Sequence, residues 1–180
     1  AAEYDNRAFL PDAALLGILE NMLNGVAYCR MLYEDGVPQD FIYLYTNPAF
    51  HEHTGLGPVR GKRVSEVIPG IRTADPQLFE IYGRVAAGGQ PEKFETFVES
   101  LQAWFAVQAY SPGLDHFVAV FDVITRRKQL DSELHLQALV LDQIQEQVTV
   151  TDLAGTVTYV NRAETEALAS PRENRIGRHV

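Results

Sequence analysis

The chain of 180 residues has one cysteine, one tryptophan and two methionines, and its 15 lysines and arginines are outnumbered by 24 acidic residues. With Cys29 alone no internal disulfide can form, so a reducing compartment is the expected setting. The net charge of −9 argues against the clustered basic surface that nucleic acid or an anionic membrane requires. Neither partner is expected. No apolar run approaches the length of a membrane span, and the N-terminus lacks a signal-peptide pattern. A cytoplasmic location is therefore expected. HExxH, CxxC and P-loop motifs are all missing, and Ser111, Ser132 and the five histidines form no triad. No catalysis is expected of these residues.

What remains is an ordinary globular composition, 46% hydrophobic and 22% charged, long enough for one buried domain and part of a second. The stretch Phe41–Gly55, FIYLYTNPAFHEHTG, organises the rest. Its aromatic and branched opening reads as a strand. Asn47-Pro48 then reads as an N-cap followed by proline in the first helical turn, with Gly55 as the helix stop. Thr156–Ala169, TVTYVNRAETEALA, repeats the pattern: strand, Asn161, then a helix with Glu164 placed for a capping box.

Tyr43-Leu44-Tyr45-Thr46-Asn47-Pro48-Ala49-Phe50 with Thr54-Gly55, and the run Thr151–Asn161, resemble the opening of PAS domains. These are sensory modules of bacterial histidine kinases, diguanylate cyclases and related signalling proteins. The resemblance implies an α+β PAS fold: a five-stranded antiparallel sheet with helices over one face, followed by a long linker helix. The expected organisation is a tail at 1–14, a PAS domain at 15–124, a helical linker at 125–147 and an incomplete second PAS unit at 148–180. Downstream output domains in the same chain, such as a two-component kinase or a cyclase, are the partners this implies.

In chain order, Asp12–Leu23 has leucines at helical spacing, ended by Asn24-Gly25. Val26–Tyr33 and Phe41–Tyr45 form a strand pair across Asp35-Gly36. Asp75-Pro76 opens a helix with an apolar stripe of Leu78, Phe79, Tyr82 and Val85, and three strands follow, at 92–101, 103–110 and 116–121. Thr125–Val148 reads as one helix. Leu130, Leu134, Gln137, Leu141, Ile144 and Val148 fall at coiled-coil spacing, the basis for a homodimer through the linker. A stripe packed on its own domain would have the same spacing. The strand pair at 147–161, as a lone hairpin, is expected to be poorly ordered or to need a borrowed surface.

The resemblance also implies a ligand-facing sheet surface, carried along the strands by alternation. It would hold Cys29, Tyr43, Tyr45, Asn47, Phe105 and Phe121 as ligand-binding residues; aromatics that simply fill the core are the equal alternative. The opposite face, with Ile42, Leu44 and Trp104, needs a cover from the helix at 12–23 or from a partner subunit. Known cofactors can be tested by motif. Gly61–Pro69, GKRVSEVIP, has no reactive cysteine, and Phe121 stands near the position where flavin photosensors place a glutamine. Asp75–Ala87 has no histidine to ligate haem. A photoactive flavin adduct and haem are not expected; a non-covalent flavin, a small organic ligand or none stays open. His51-Glu52-His53 is expected to be a solvated helix face rather than a metal site, because helical residues two apart diverge. His135 lacks the acidic, basic and proline residues that follow a phospho-acceptor in histidine kinases. The usual closing Asp-Ile-Thr is replaced by Val123-Ile124-Thr125, which with Trp104 are the expected signal-relay residues. The alternatives to a ligand sensor are a ligand-free dimerisation module and a flavin-binding redox protein.

Overall fold

The structure, a computed structural model, describes residues 12–179 and divides into two compact units, residues 1–125 and 126–180. Most of the expected tail, residues 1–11, lies outside the described residues. Unit 1 opens with helix α1 (Asp12–Glu20), followed by strands β1 (Gly25–Glu34) and β2 (Val37–Thr46). Between the strands Asp35 and Gly36 take φ of 51° and 77°, the mirror-image turn whose twist matches its strands. Four helices come next: α2 (Pro48–Thr54), α3 (Val64–Val67), α4 (Ile71–Ala74) and α5 (Pro76–Ala86). Strands β3 (Glu92–Val98), β4 (Ala103–Gly113) and β5 (His116–Val123) complete one antiparallel sheet in the order β2-β1-β5-β4-β3.

Alternation sets the inner face of that sheet. Phe105, Val107 and Ala109 on β4 and Phe117, Ala119 and Phe121 on β5 are buried, with more exposed residues between them. They meet the apolar stripe of α5, where Leu78, Phe79, Tyr82 and Val85 are buried. Gly83 lets this helix approach closely, since a Cβ there would lie 2.6 Å from Pro38 on β2. The outer edge of β2 is not left open: Tyr43 N–H donates to the Lys62 carbonyl and Gly61 N–H to the Tyr43 carbonyl.

Helix α6 (Thr125–Gln143) starts on the last residue of unit 1 and buries none of its side chains. Strands β6 (Thr149–Thr151) and β7 (Val157–Val160) and helix α7 (Arg162–Ala167) complete unit 2.

Two sequence expectations are corrected. The N-terminal helix begins at Asp12, inside the expected tail, and stops at Glu20 rather than Leu23. The linker helix stops at Gln143 rather than 147–148, so Ile144 and Val148 leave the coiled-coil seam. At both ends a buried asparagine amide takes a carbonyl of the last helical turn and one or more just after it, as detailed below. The hairpin β6–β7 makes contacts within unit 2 through β7, while Thr149, Val150 and Thr151 on β6 are exposed. Tyr159 reaches the end of α6, and Val157 exchanges backbone hydrogen bonds with Gly177 and Arg178, so Val157 and Val160 are buried within their own unit.

Candidate functional site

The inner face of unit 1 encloses a cavity of about 80 Å³. Cys29, Tyr43, Phe105 and Phe121, all expected on the ligand-facing surface, line it. Tyr45 and Asn47 do not, and both are corrected. Tyr28 pairs with Tyr45 but Cys29 with Tyr43, so Leu44 is an extra residue in β2. This bulge moves Tyr45 to the outer face, opposite Tyr28, because cross-strand partners share a face. Asn47 is fully buried but spends its side chain elsewhere.

The cavity is largely apolar, with Thr54 and Thr96 also in its lining. No lining residue carries a charge; Tyr82 and Tyr43 supply phenols and Cys29 a thiol. Burial pushes both phenols upward in pKa, with Cys29 adding to the shift. Burial also pushes the Cys29 thiol well up. All three groups are therefore neutral near pH 7 and able to donate a hydrogen bond. Tyr82 stacks on Phe117 at 4.5 Å between ring centroids, which fixes the direction of its hydroxyl. Sequence reasoning placed Tyr82 only in the core stripe of α5; the available signal was a residue with a polar tip among Leu78, Phe79 and Val85.

The cavity does not fit an isoalloxazine ring. Pockets for ligands of that size run to about 300–1,000 Å³, several times the volume present, and Phe121 offers the ring no hydrogen bond.

Asn47 sits at the corner between β2 and α2. Its Oδ1 accepts from Phe50 N–H at 3.0 Å, capping α2, and from Val26 N–H at 2.8 Å. Its Nδ2 donates to the carbonyls of Leu19, at 3.0 Å, and Asn24, at 2.9 Å. Four bonds satisfy the amide completely. Asn161 has the same set in unit 2: Oδ1 accepts from Val148 and Glu164 N–H, and Nδ2 donates to Leu141, Ile144 and Glu146 carbonyls.

The expected relay residues meet where β5 leads into α6. Ile124 N–H donates to the Trp104 carbonyl at 2.8 Å, and Trp104 N–H donates to Thr125 Oγ1 at 2.9 Å. Ile124 is buried while Val123 is exposed. Asp122, beside the missing aspartate position, accepts from Asn24 Nδ2 at 2.6 Å. His51 is not the solvated residue expected of it: its ring bridges Thr46 Oγ1 and the Leu56 carbonyl. Among the described residues no cluster of histidine, cysteine and carboxylates is placed to hold a metal, and no helix is long and apolar enough to cross a membrane.

No protein-family model and no curated protein sequence matches the chain. Solved structures are similar to it. One is an RNA-binding Light-Oxygen-Voltage receptor, at 19% identity over 78% of this chain and TM-score 0.49. This chain spans 41% of that receptor's length. A domain of an HTR-like protein from Haloarcula marismortui is 21% identical over 58% of this chain and all of its own, with TM-score 0.42. A domain of a sensory box sensor histidine kinase/response regulator from Geobacter sulfurreducens is 16% identical over 61% of this chain and 90% of its own, with TM-score 0.42. Unit 1 has the α+β PAS fold: the strand pair, the Asn-Pro corner, the helices and three returning strands stand in the order its motifs implied.

Proposed function

We propose that unit 1 is a sensory PAS module that binds a small neutral molecule, and that occupancy is relayed through Trp104, Ile124 and Thr125 into helix α6. The observation that carries this reading is the uncharged cavity on the inner face of the sheet, with the phenols of Tyr43 and Tyr82 in its lining. A ligand carbonyl or ring hydroxyl would give these phenols an acceptor inside a largely apolar lining. With no cation in the lining, an ionised acid would be buried unpaired, which disfavours the organic-acid option. The unit is read as a binder rather than a catalyst, serving output domains of a cytoplasmic signalling protein.

Phenol, indole and short ketones are suitable probes, followed by backbone amide shifts in NMR. The expected result is saturable shifts at Cys29, Tyr43 and Tyr82 that shrink in Tyr82→Phe and vanish when Ala119→Leu fills the cavity. If no probe at millimolar concentration moves these amides, the sensor reading is wrong.

A second role is favoured by α6 itself. Leu130, Leu134, Leu136, Leu139 and Val140 are all exposed, and the partner we propose for them is α6 of a second copy. That makes the module a homodimer whose paired helices carry the signal. The same dimer without a ligand is the alternative to the sensor.

A further inference from the structure

The two asparagine corners are alike beyond the asparagine, and one of them is incomplete. In both, the amide donates to a helix carbonyl and to a loop carbonyl five residues later, Leu19 and Asn24 in unit 1, Leu141 and Glu146 in unit 2. The residue after the captured helix carbonyl is acidic in both: Glu20 and Asp142. Two residues before each asparagine stands a tyrosine, Tyr45 and Tyr159. In unit 2 these second groups meet. Tyr159 Oη donates to Asp142 Oδ1 at 2.7 Å, and Arg172 closes on the same oxygen at 2.7 Å while lying over the Tyr159 ring. In unit 1 the tyrosine is in place but the bond is not made: Tyr45 Oη is buried with no hydrogen-bond partner among the described residues. Burial pushes the phenol upward in pKa, and the charge of nearby Glu20 adds to the shift.

We propose that the Tyr-x-Asn corner of unit 1 is a docking site for the last turn of a helix, that its occupant is α1, and that Glu20 is the acidic group Tyr45 takes up. Asn47 holds the backbone of that turn and Tyr45 holds its side chain, as Asn161 and Tyr159 hold α6 within unit 2. The proposal is independent of any ligand in the cavity. It follows from two facts about α1. The helix buries none of its side chains and exposes Leu15, Leu16 and Ile18, so burial contributes little to keeping it in place. The corner provides its polar anchors, and one of the two stands open. A Tyr45–Glu20 bond fills the orphan hydroxyl and locks the turn. Its absence leaves α1 held by the asparagine alone, and α1 is then the element of unit 1 most easily released.

The test is hydrogen exchange on the whole chain, following peptides over 17–23 and 139–146, for Tyr45→Phe, Glu20→Ala and their double variant. Tyr159→Phe is the positive control, with Glu20→Asp as the conservative replacement. Each single variant at the first corner is expected to speed exchange over 17–23 several-fold, and the double variant no further than either. Glu20→Asp is expected to retain protection, and Tyr159→Phe to act in the same way over 139–146. An unchanged or slower exchange in Tyr45→Phe would overturn the proposal, since removing a truly partnerless hydroxyl relieves the site. So would additive effects in the double variant. Glu20→Ala alters an exposed side chain and reads out the pair even if the tyrosine variant misfolds.

Discussion

Asn47 and Asn161 bring four segments together with one amide each. Asn47 ties the end of α1, the start of β1 and the first turn of α2 to one buried point. As a helix cap alone its removal would cost about 1 kcal/mol. Because it also satisfies a buried strand N–H and two carbonyls, Asn47→Ala should destabilise unit 1 by about 3 kcal/mol in urea unfolding. A loss within the range of a simple cap would mean water replaces the amide at this corner. The asparagine and its capping role were legible in the sequence, because strand, Asn, Pro and a closing glycine form a local pattern. The other three bonds were not, since Leu19 lies 28 residues away and local propensity carries no signal over that distance.

Helix α6 is the element whose sequence and surroundings disagree most. It carries five large apolar residues on a surface with no cover, and they are not confined to a single seam. Leu130, Leu134 and Leu141 keep the coiled-coil spacing, Gln137 interrupts it, and Leu136, Leu139 and Val140 widen the apolar surface. Replacing Leu134 and Leu139 together by aspartate should turn a dimer into a monomer in sedimentation velocity while the sheet of unit 1 stays folded by circular dichroism. A wild-type chain that already sediments as a monomer at tens of micromolar would dispose of the helix pairing. The expected helix of 24 residues was too long because periodicity continues through Ile144 and Val148, whereas the backbone is turned aside at Gln143 by the demands of Asn161.

At the scale of the molecule the two units rest on different physics. Unit 1 has a continuous apolar core drawn from five strands and four helices. Unit 2 buries few apolar side chains, Val157 and Val160 among them, and relies on a polar set around Asp142. Hydrogen bonding from Tyr159, aided by the charge of Arg172, holds the Asp142 carboxyl below the usual carboxylate range. A folded-state pKa below the unfolded one means the stabilisation is present above the ordinary value near about 3.9. It is lost as pH falls through the folded value. Unit 2 should therefore open on acidification while unit 1 stays closed, seen as earlier exchange at 157–161 than at 117–121. Asp142→Asn should weaken unit 2 at neutral pH and flatten this acid response. Simultaneous opening of both units at every pH would refute the separation.

Sequence by itself determined the elements and their order, because alternation, helical spacing, the Asp-Gly turn and the Asn-Pro corner are short-range statements about backbone and burial. Which side of β4 and β5 faces the core followed from the PAS resemblance carried along the strands by alternation. Tertiary structure decided what those elements become when they meet. The bulge at Leu44 turned Tyr45 out of the cavity, which strict alternation cannot foresee, since one extra residue reverses the face of every residue after it. Long-range hydrogen bonds to Asn47 and Asn161 set where α1 and α6 end. The cavity was decided there too: its 80 Å³ depends on how Tyr82 stacks against Phe117, two residues 35 apart in sequence that only the packed fold brings together.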